Sequence, residues 1–135
     1  MEFSDKEIKD FWDRTNTVDG EDKNEVRRDA SGAIIHYSDY KNRDSDYGWE
    51  IDHIYPRIRL EQAGVPEELI NDPRNLRPMN WKNNVSKGSD YPSYTTVVIA
   101  KGSTNIEKRG TRVVNADIQE ELKKLYKIIQ DDRAV

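Results

Sequence analysis

Asp52 and His53 stand side by side in the stretch WEIDHIYPR (49–57), and His53 is one of two histidines in the chain. A histidine near its ordinary pKa of about 6.5 is largely uncharged at pH 7 and can take a proton from water. The adjacent aspartate and an asparagine carried on a helix, Asn84, offer two hard oxygen donors. Donors of this type hold Mg²⁺ loosely while waters and a substrate phosphate fill the rest of its octahedron. Together these residue types could activate a water beside a cation-bound phosphate. An isolated strand histidine is more often structural, so the neighbours of His53 decide how it is read.

The elements that must position these residues can be read in outline. WEIDHI reads as a strand, which Pro56 stops because proline has no amide hydrogen to donate. Strict alternation along that strand would point Asp52 and His53 to opposite faces, so both address one site only if the strand ends or twists there. NLRPMNWKNNVSKGSD reads as a loop leading into a short helix from about 80 to 87, closed by Gly88. Asn80, Asn83 and Asn84 are weak helix formers, which points to a use for their side-chain oxygens. AIIHY after Gly32 looks like a strand that pairs antiparallel with YGWEIDHI across the turn KNRDSD. The link from Arg57 to Leu76 reads as irregular, with one helical turn begun by Pro66.

At the N-terminus, Ser4 and Glu7 form a capping box, and Phe3 with Ile8 a hydrophobic staple, for a helix from about 5 to 14 whose apolar face is Ile8, Phe11 and Trp12. NTVDGEDKNEVRRDASG reads as loop. TTVVIA and TRVV form a second hairpin joined by KGSTNIEKRG. A final helix from about 116 to 130 carries Ile118, Leu122, Leu125 and Ile129 as one stripe facing the core.

With 135 residues the chain should form one domain, 1–135, able to bury about two thirds of its unfolded surface without a staple. It has 34% hydrophobic and 36% charged residues, so a small core and long polar connections are expected. The absence of cysteine excludes disulfides, thiolate nucleophiles and a cysteine zinc site, so no structural zinc is expected. No apolar run is long enough for a bilayer, and the acidic start is unlike a signal peptide. Residues 1–52 hold 8 Lys/Arg against 15 Asp/Glu, and residues 53–135 hold 14 against 11, so the C-terminal part is the better candidate for facing phosphate.

Four features set around His53 carry a resemblance: the DH pair, Pro56, Asn75-Leu76, and the N-x-x-K-G unit from Asn84 to Gly88. Together they resemble the HNH endonuclease signature over about 32–90, in its H-N-N variety. The resemblance implies an α+β fold with a ββα-metal core, flanked here by the N-terminal helix, the second hairpin and the C-terminal helix. It implies that Asp52 and Asn84 bind one divalent cation, Mg²⁺ or else Mn²⁺, that His53 is the general base, and that Asn75 orients its imidazole. The implied reaction is hydrolysis of DNA, most naturally double-stranded, to 5′-phosphate and 3′-hydroxyl ends.

Lys87, one turn beyond Asn84, reads either as an ammonium beside the phosphate backbone or as a solvated lysine favoured by the helix dipole. Arg57, Arg59, Arg77 and Lys82 are further candidates for DNA contact, as are Lys108, Arg109 and Arg112. Trp81 and Val85 read as the core-facing side of the short helix, and Trp49, Ile51, Leu76 and Trp81 as the packing that replaces zinc. His36 reads as a half-exposed strand residue. The long link Arg57 to Asn71 departs from the family, where a short glycine-rich connection is common.

No element for sequence-specific reading is visible, so cleavage without sequence preference, or specificity from a protein partner, is expected. The setting implied is the cytoplasm of a bacterium or a phage-infected cell, with delivery as an effector open. The rival from another class is a catalytically silent nucleic-acid-binding module of the same fold.

Overall fold

The computed structural model describes residues 2–129. Helix α1 (Asp5–Asp13) begins as its chemistry requires: the Ser4 hydroxyl accepts from the Glu7 amide at 3.1 Å and the Glu7 carboxylate accepts from the Ser4 amide at 2.9 Å. Phe11 and Trp12 are buried, whereas Phe3 makes its ring contact with Phe11, edge-on at 5.2 Å. Three short strands follow, β1 (Asn16–Thr17), β2 (Val26–Arg28) and β3 (Ile34–His36), in one antiparallel sheet.

That sheet corrects the expected pairing. Strand β3 pairs with β2, opposing Ile35 to Arg27, and not with the WEIDH strand. The EVRR segment is too short and too charged to show strand alternation, so its pairing could not be read locally. Strand β4 (Trp49–His53) instead finds its antiparallel partner in β5 (Leu76–Asn80), with His53 opposite Leu76 and Trp49 opposite Asn80. Pro78 fits within β5 because this sheet has only two strands, so its missing donor can face an open edge. Trp49 still ties the two sheets together, its indole N–H donating to the His36 carbonyl at 2.8 Å.

The link after β4 is more ordered than its composition suggests. It forms α2 (Arg57–Gln62) and α3 (Glu67–Ile70), begun by Pro56 and Pro66, and buries Leu60 and Ile70. Helix α4 (Trp81–Lys87) follows β5 directly, capped by the Asn80 side chain on the Lys82 amide at 2.9 Å. Its buried side is Asn83 and Lys87, and Val85 is 56% exposed, which reverses the expected orientation. Trp81 is half-buried and donates its indole N–H to the Ser45 carbonyl.

Strands β6 (Ser93–Lys101) and β7 (Thr104–Val113) form the second hairpin, turning at Gly102 with φ 64°. Most of KGSTNIEKRG is therefore strand; β7 shows no apolar alternation because it is largely exposed. Helix α5 (Ala116–Leu125) ends earlier than its stripe suggests, at Tyr126, whose hydroxyl donates to the Leu69 carbonyl. Leu122, Tyr126 and Ile129 nevertheless dock beside Ile54, Leu60 and Met79 in the larger core. The expected end of that helix at Gln130 lies outside the described residues. A smaller core gathers Trp12, Ile35 and Trp49. The architecture is mixed α+β with small antiparallel sheets, and among the described residues no helix is long and apolar enough to cross a membrane.

Candidate functional site

Strand β4 and helix α4 meet residue by residue. Asn84 donates its side-chain N–H to Glu50 Oε1 at 3.0 Å, and one helical turn on, Lys87 Nζ lies 3.3 Å from Asp52 Oδ1. Glu50 and Asp52 are two apart on a strand and therefore share a face, which α4 covers. Arg77, opposite Asp52 on β5, places its Nε 3.3 Å from Asp52 Oδ2. Asp52 is thus buried, 4% exposed, between two cationic side chains.

Lys87 is also buried, its Nζ donating to the His53 carbonyl at 3.1 Å. Burial pulls its pKa down, opposed by the Asp52 carboxylate. It is not a surface ammonium awaiting DNA, because α4 lies across β4 and turns this side chain onto the strand. Arg77, with its side chain 12% exposed, is likewise committed inward.

His53 takes the other direction. Its ring lines a cleft of about 700 Å³ with Phe3, Tyr40, Arg43, Glu50 and Arg57, which Asp52 does not line. The cleft takes in Glu50 as well as Ile51 and His53, so strand alternation does not by itself sort its lining; Asp52 is kept from it by burial beneath Lys87 and Arg77, and the two neighbours do not present their side chains to one open space. The imidazole Nε2 lies 2.9 Å from Asn71 Oδ1. Burial lowers the His53 pKa most, the hydrogen bond to Asn71 opposes it, and the Arg57 charge lowers it further.

The Asn75 side chain bonds to the backbone beyond His53, while Asn71 bonds to the imidazole. Fully buried, Asn75 accepts from the Tyr55 amide at 2.7 Å and donates to the Tyr55 carbonyl at 3.1 Å, so it fixes the chain just beyond His53. The residue on the ring is Asn71, which lies in the inserted link, where no spacing rule points to it. Glu50 was also passed over, although its position two residues before Asp52 was a usable signal. Burial raises the Glu50 pKa, but hydrogen bonds from Arg43 and Asn84 outweigh that and leave it lowered.

The remaining candidates for DNA contact are mostly paired. Arg57 holds Glu61 and Glu67, and Arg59 donates to the Ser89 carbonyl and lies over the Tyr55 ring. Lys82 reaches Asp46 at 2.9 Å, yet it also lines a hollow of about 380 Å³ with Lys108 and Arg109. His36 is half-exposed and stacked on Tyr47 at 4.1 Å.

Asp52 and Asn84 lie along the same β4–α4 seam and carry oxygen donors suited to a hard cation that keeps most of its water. Among the described residues no group of three or more His, Cys, Asp or Glu could by itself enclose a metal ion. In this structure Asp52 is closed off by Lys87 and Arg77 and Asn84 bonds to Glu50, so a cation held by the pair would have to displace Lys87 or Arg77 from the carboxylate. Compared with protein-family models, curated proteins and solved structures, the chain finds no match.

Proposed function

We propose that the chain is a divalent-metal-dependent endonuclease of the HNH type, hydrolysing DNA phosphodiester bonds to 5′-phosphate and 3′-hydroxyl ends. The observation that carries this reading is the state of His53: burial favours its uncharged form, and the residue lines a cleft of about 700 Å³. An amide oxygen can only accept, so the Asn71 contact requires the proton on Nε2 and leaves a lone pair on Nδ1. That nitrogen takes the proton of the attacking water, a contribution of about 10²- to 10⁴-fold in rate.

Asp52 and Asn84 would hold Mg²⁺ or Mn²⁺, which supplies electrostatic stabilisation of the phosphoryl oxygens when bound. Asn75 keeps the end of β4 in place through Tyr55. Lys82, Lys108 and Arg109 supply cationic charge near the helix that carries Asn84. Specificity, where needed, comes from a protein partner.

Supercoiled plasmid incubated with the protein and Mg²⁺ or Mn²⁺ should be nicked, and His53→Ala or EDTA should abolish nicking. Equal nicking by the wild type and His53→Ala, or none by either across a range of salt, would overturn the reading. One observation favours a second reading, a silent nucleic-acid-binding module: Asp52 is already neutralised by Lys87 and Arg77. In that case DNA binds in a salt-dependent way and is never cut.

A further inference from the structure

The long link between β4 and β5 brings three side chains to His53. Asn71 Oδ1 lies 2.9 Å from His53 Nε2 and accepts from Arg57 Nη1 at 3.4 Å. The other end of the same amide donates through Nδ2 to Glu67 Oε2 at 2.8 Å, and Arg57 Nη2 donates to Glu67 Oε1. Turning the amide over would set its N–H groups against the Arg57 guanidinium and its oxygen against the Glu67 carboxylate. Both contacts would be repulsive, so the oxygen faces the imidazole.

We infer that Asn71 is a positioning residue for His53: held by Glu67 and Arg57, it keeps the imidazole proton on Nε2 and reserves Nδ1 for the reaction. The inserted link then acts as an orienting arm that reaches the general base from outside the β4, β5 and α4 unit. Catalytic histidines are commonly held in one tautomer by an acceptor on the far ring nitrogen, and loss of such a partner misplaces the proton. Here the acceptor is a neutral amide whose own orientation is set by an ion pair. The kinetic consequence rests on the nuclease reading; the tautomer does not.

Long-range ¹H–¹⁵N spectra of the full chain, with the His53 signals assigned by their loss in His53→Ala, read the tautomer directly. The wild type should show a proton on Nε2 that exchanges slowly with solvent. Asn71→Leu should lose that slow exchange and lower kcat for plasmid nicking by about 10- to 100-fold with KM little changed. Asn71→Asp combined with Glu67→Gln, which keeps an acceptor on the imidazole without setting two carboxylates face to face, should retain the Nε2 proton.

Glu67→Ala, at a side chain 56% exposed, removes the group that fixes the amide and should weaken the protection even if Asn71→Leu does not fold. A wild-type proton on Nδ1, or unchanged Nε2 protection in the folded variants, overturns the inference. Protection that responds as stated in a protein that never cuts DNA leaves the positioning role standing and removes the nuclease reading. Cleavage with unresponsive protection does the reverse.

Discussion

Removing the Asp52 carboxylate would strand two cations, because Lys87 and Arg77 both approach it within 3.3 Å inside the protein. Breaking a buried pair by deleting one partner costs about 3–5 kcal/mol, so Asp52→Ala should show a loss of that order in urea unfolding. A loss below about 1 kcal/mol would mean that Asp52 is not buried in this pairing. His53 makes a pH-dependent contribution. Burial first, and the Arg57 charge after the opposing Asn71 bond, hold its folded pKa below the ordinary value of about 6.5. The unfolded chain therefore takes up the proton first as pH falls. The stability contributed by uncharged His53 is present above about 6.5 and is lost as pH falls through the lower folded value. The acid limb of kcat/KM should likewise lie below about 6.5, and a limb above it would contradict the burial of the ring.

Helix α4 sets two neighbouring asparagines to different tasks. Asn83 accepts from the Val97 and Val98 amides and donates to Ser31 Oγ and the Val98 carbonyl, stitching α4 to β6. Asn83→Ala strands buried groups at about 1–3 kcal/mol each and should lower the denaturation midpoint strongly. Asn84 is half-exposed and its side chain donates to Glu50, so Asn84→Ala should leave the midpoint nearly unchanged and abolish metal-dependent nicking. Reversal of those two outcomes would reassign the seam. The use of asparagine oxygen was legible in the sequence, because residues so poor in helix propensity need another reason to be in a helix. Which of the three face inward was not: Asn80 and Asn83 are both fully buried and Asn84 is half-exposed, and for Asn83 this depends on β6 arriving from beyond the helix.

The two ends of the chain's main core meet at Tyr126, which joins α5 to the inserted link through the Leu69 carbonyl. Burial pushes its pKa up to about 12, while an unfolded tyrosine ionises near about 10. The unfolded state loses its proton first as pH rises, so this stability is complete below about 10 and is lost as pH rises through about 12. Alkaline unfolding of the wild type should steepen above about pH 10, and Tyr126→Phe should flatten that dependence while costing about 1 kcal/mol at neutral pH. An unchanged alkaline profile would show that Tyr126 is not what links the insert to α5.

Local chemistry determined what the sequence alone could show. The Ser4 and Glu7 cap, the stripe on α5, the strand at WEIDH and the helix closed at Gly88 all follow from propensity, capping and periodicity within a few residues, whereas NLRPMN, which reads as loop, becomes strand β5 only by pairing with β4. Partner choice was left to the tertiary structure. Short charged EVRR captured β3, packing buried Lys87 against Asp52, and the inserted link delivered Asn71 to His53. The physical reason is the same in each case: a residue's type limits the bonds it can make, but burial and distance between remote segments decide which of those bonds form.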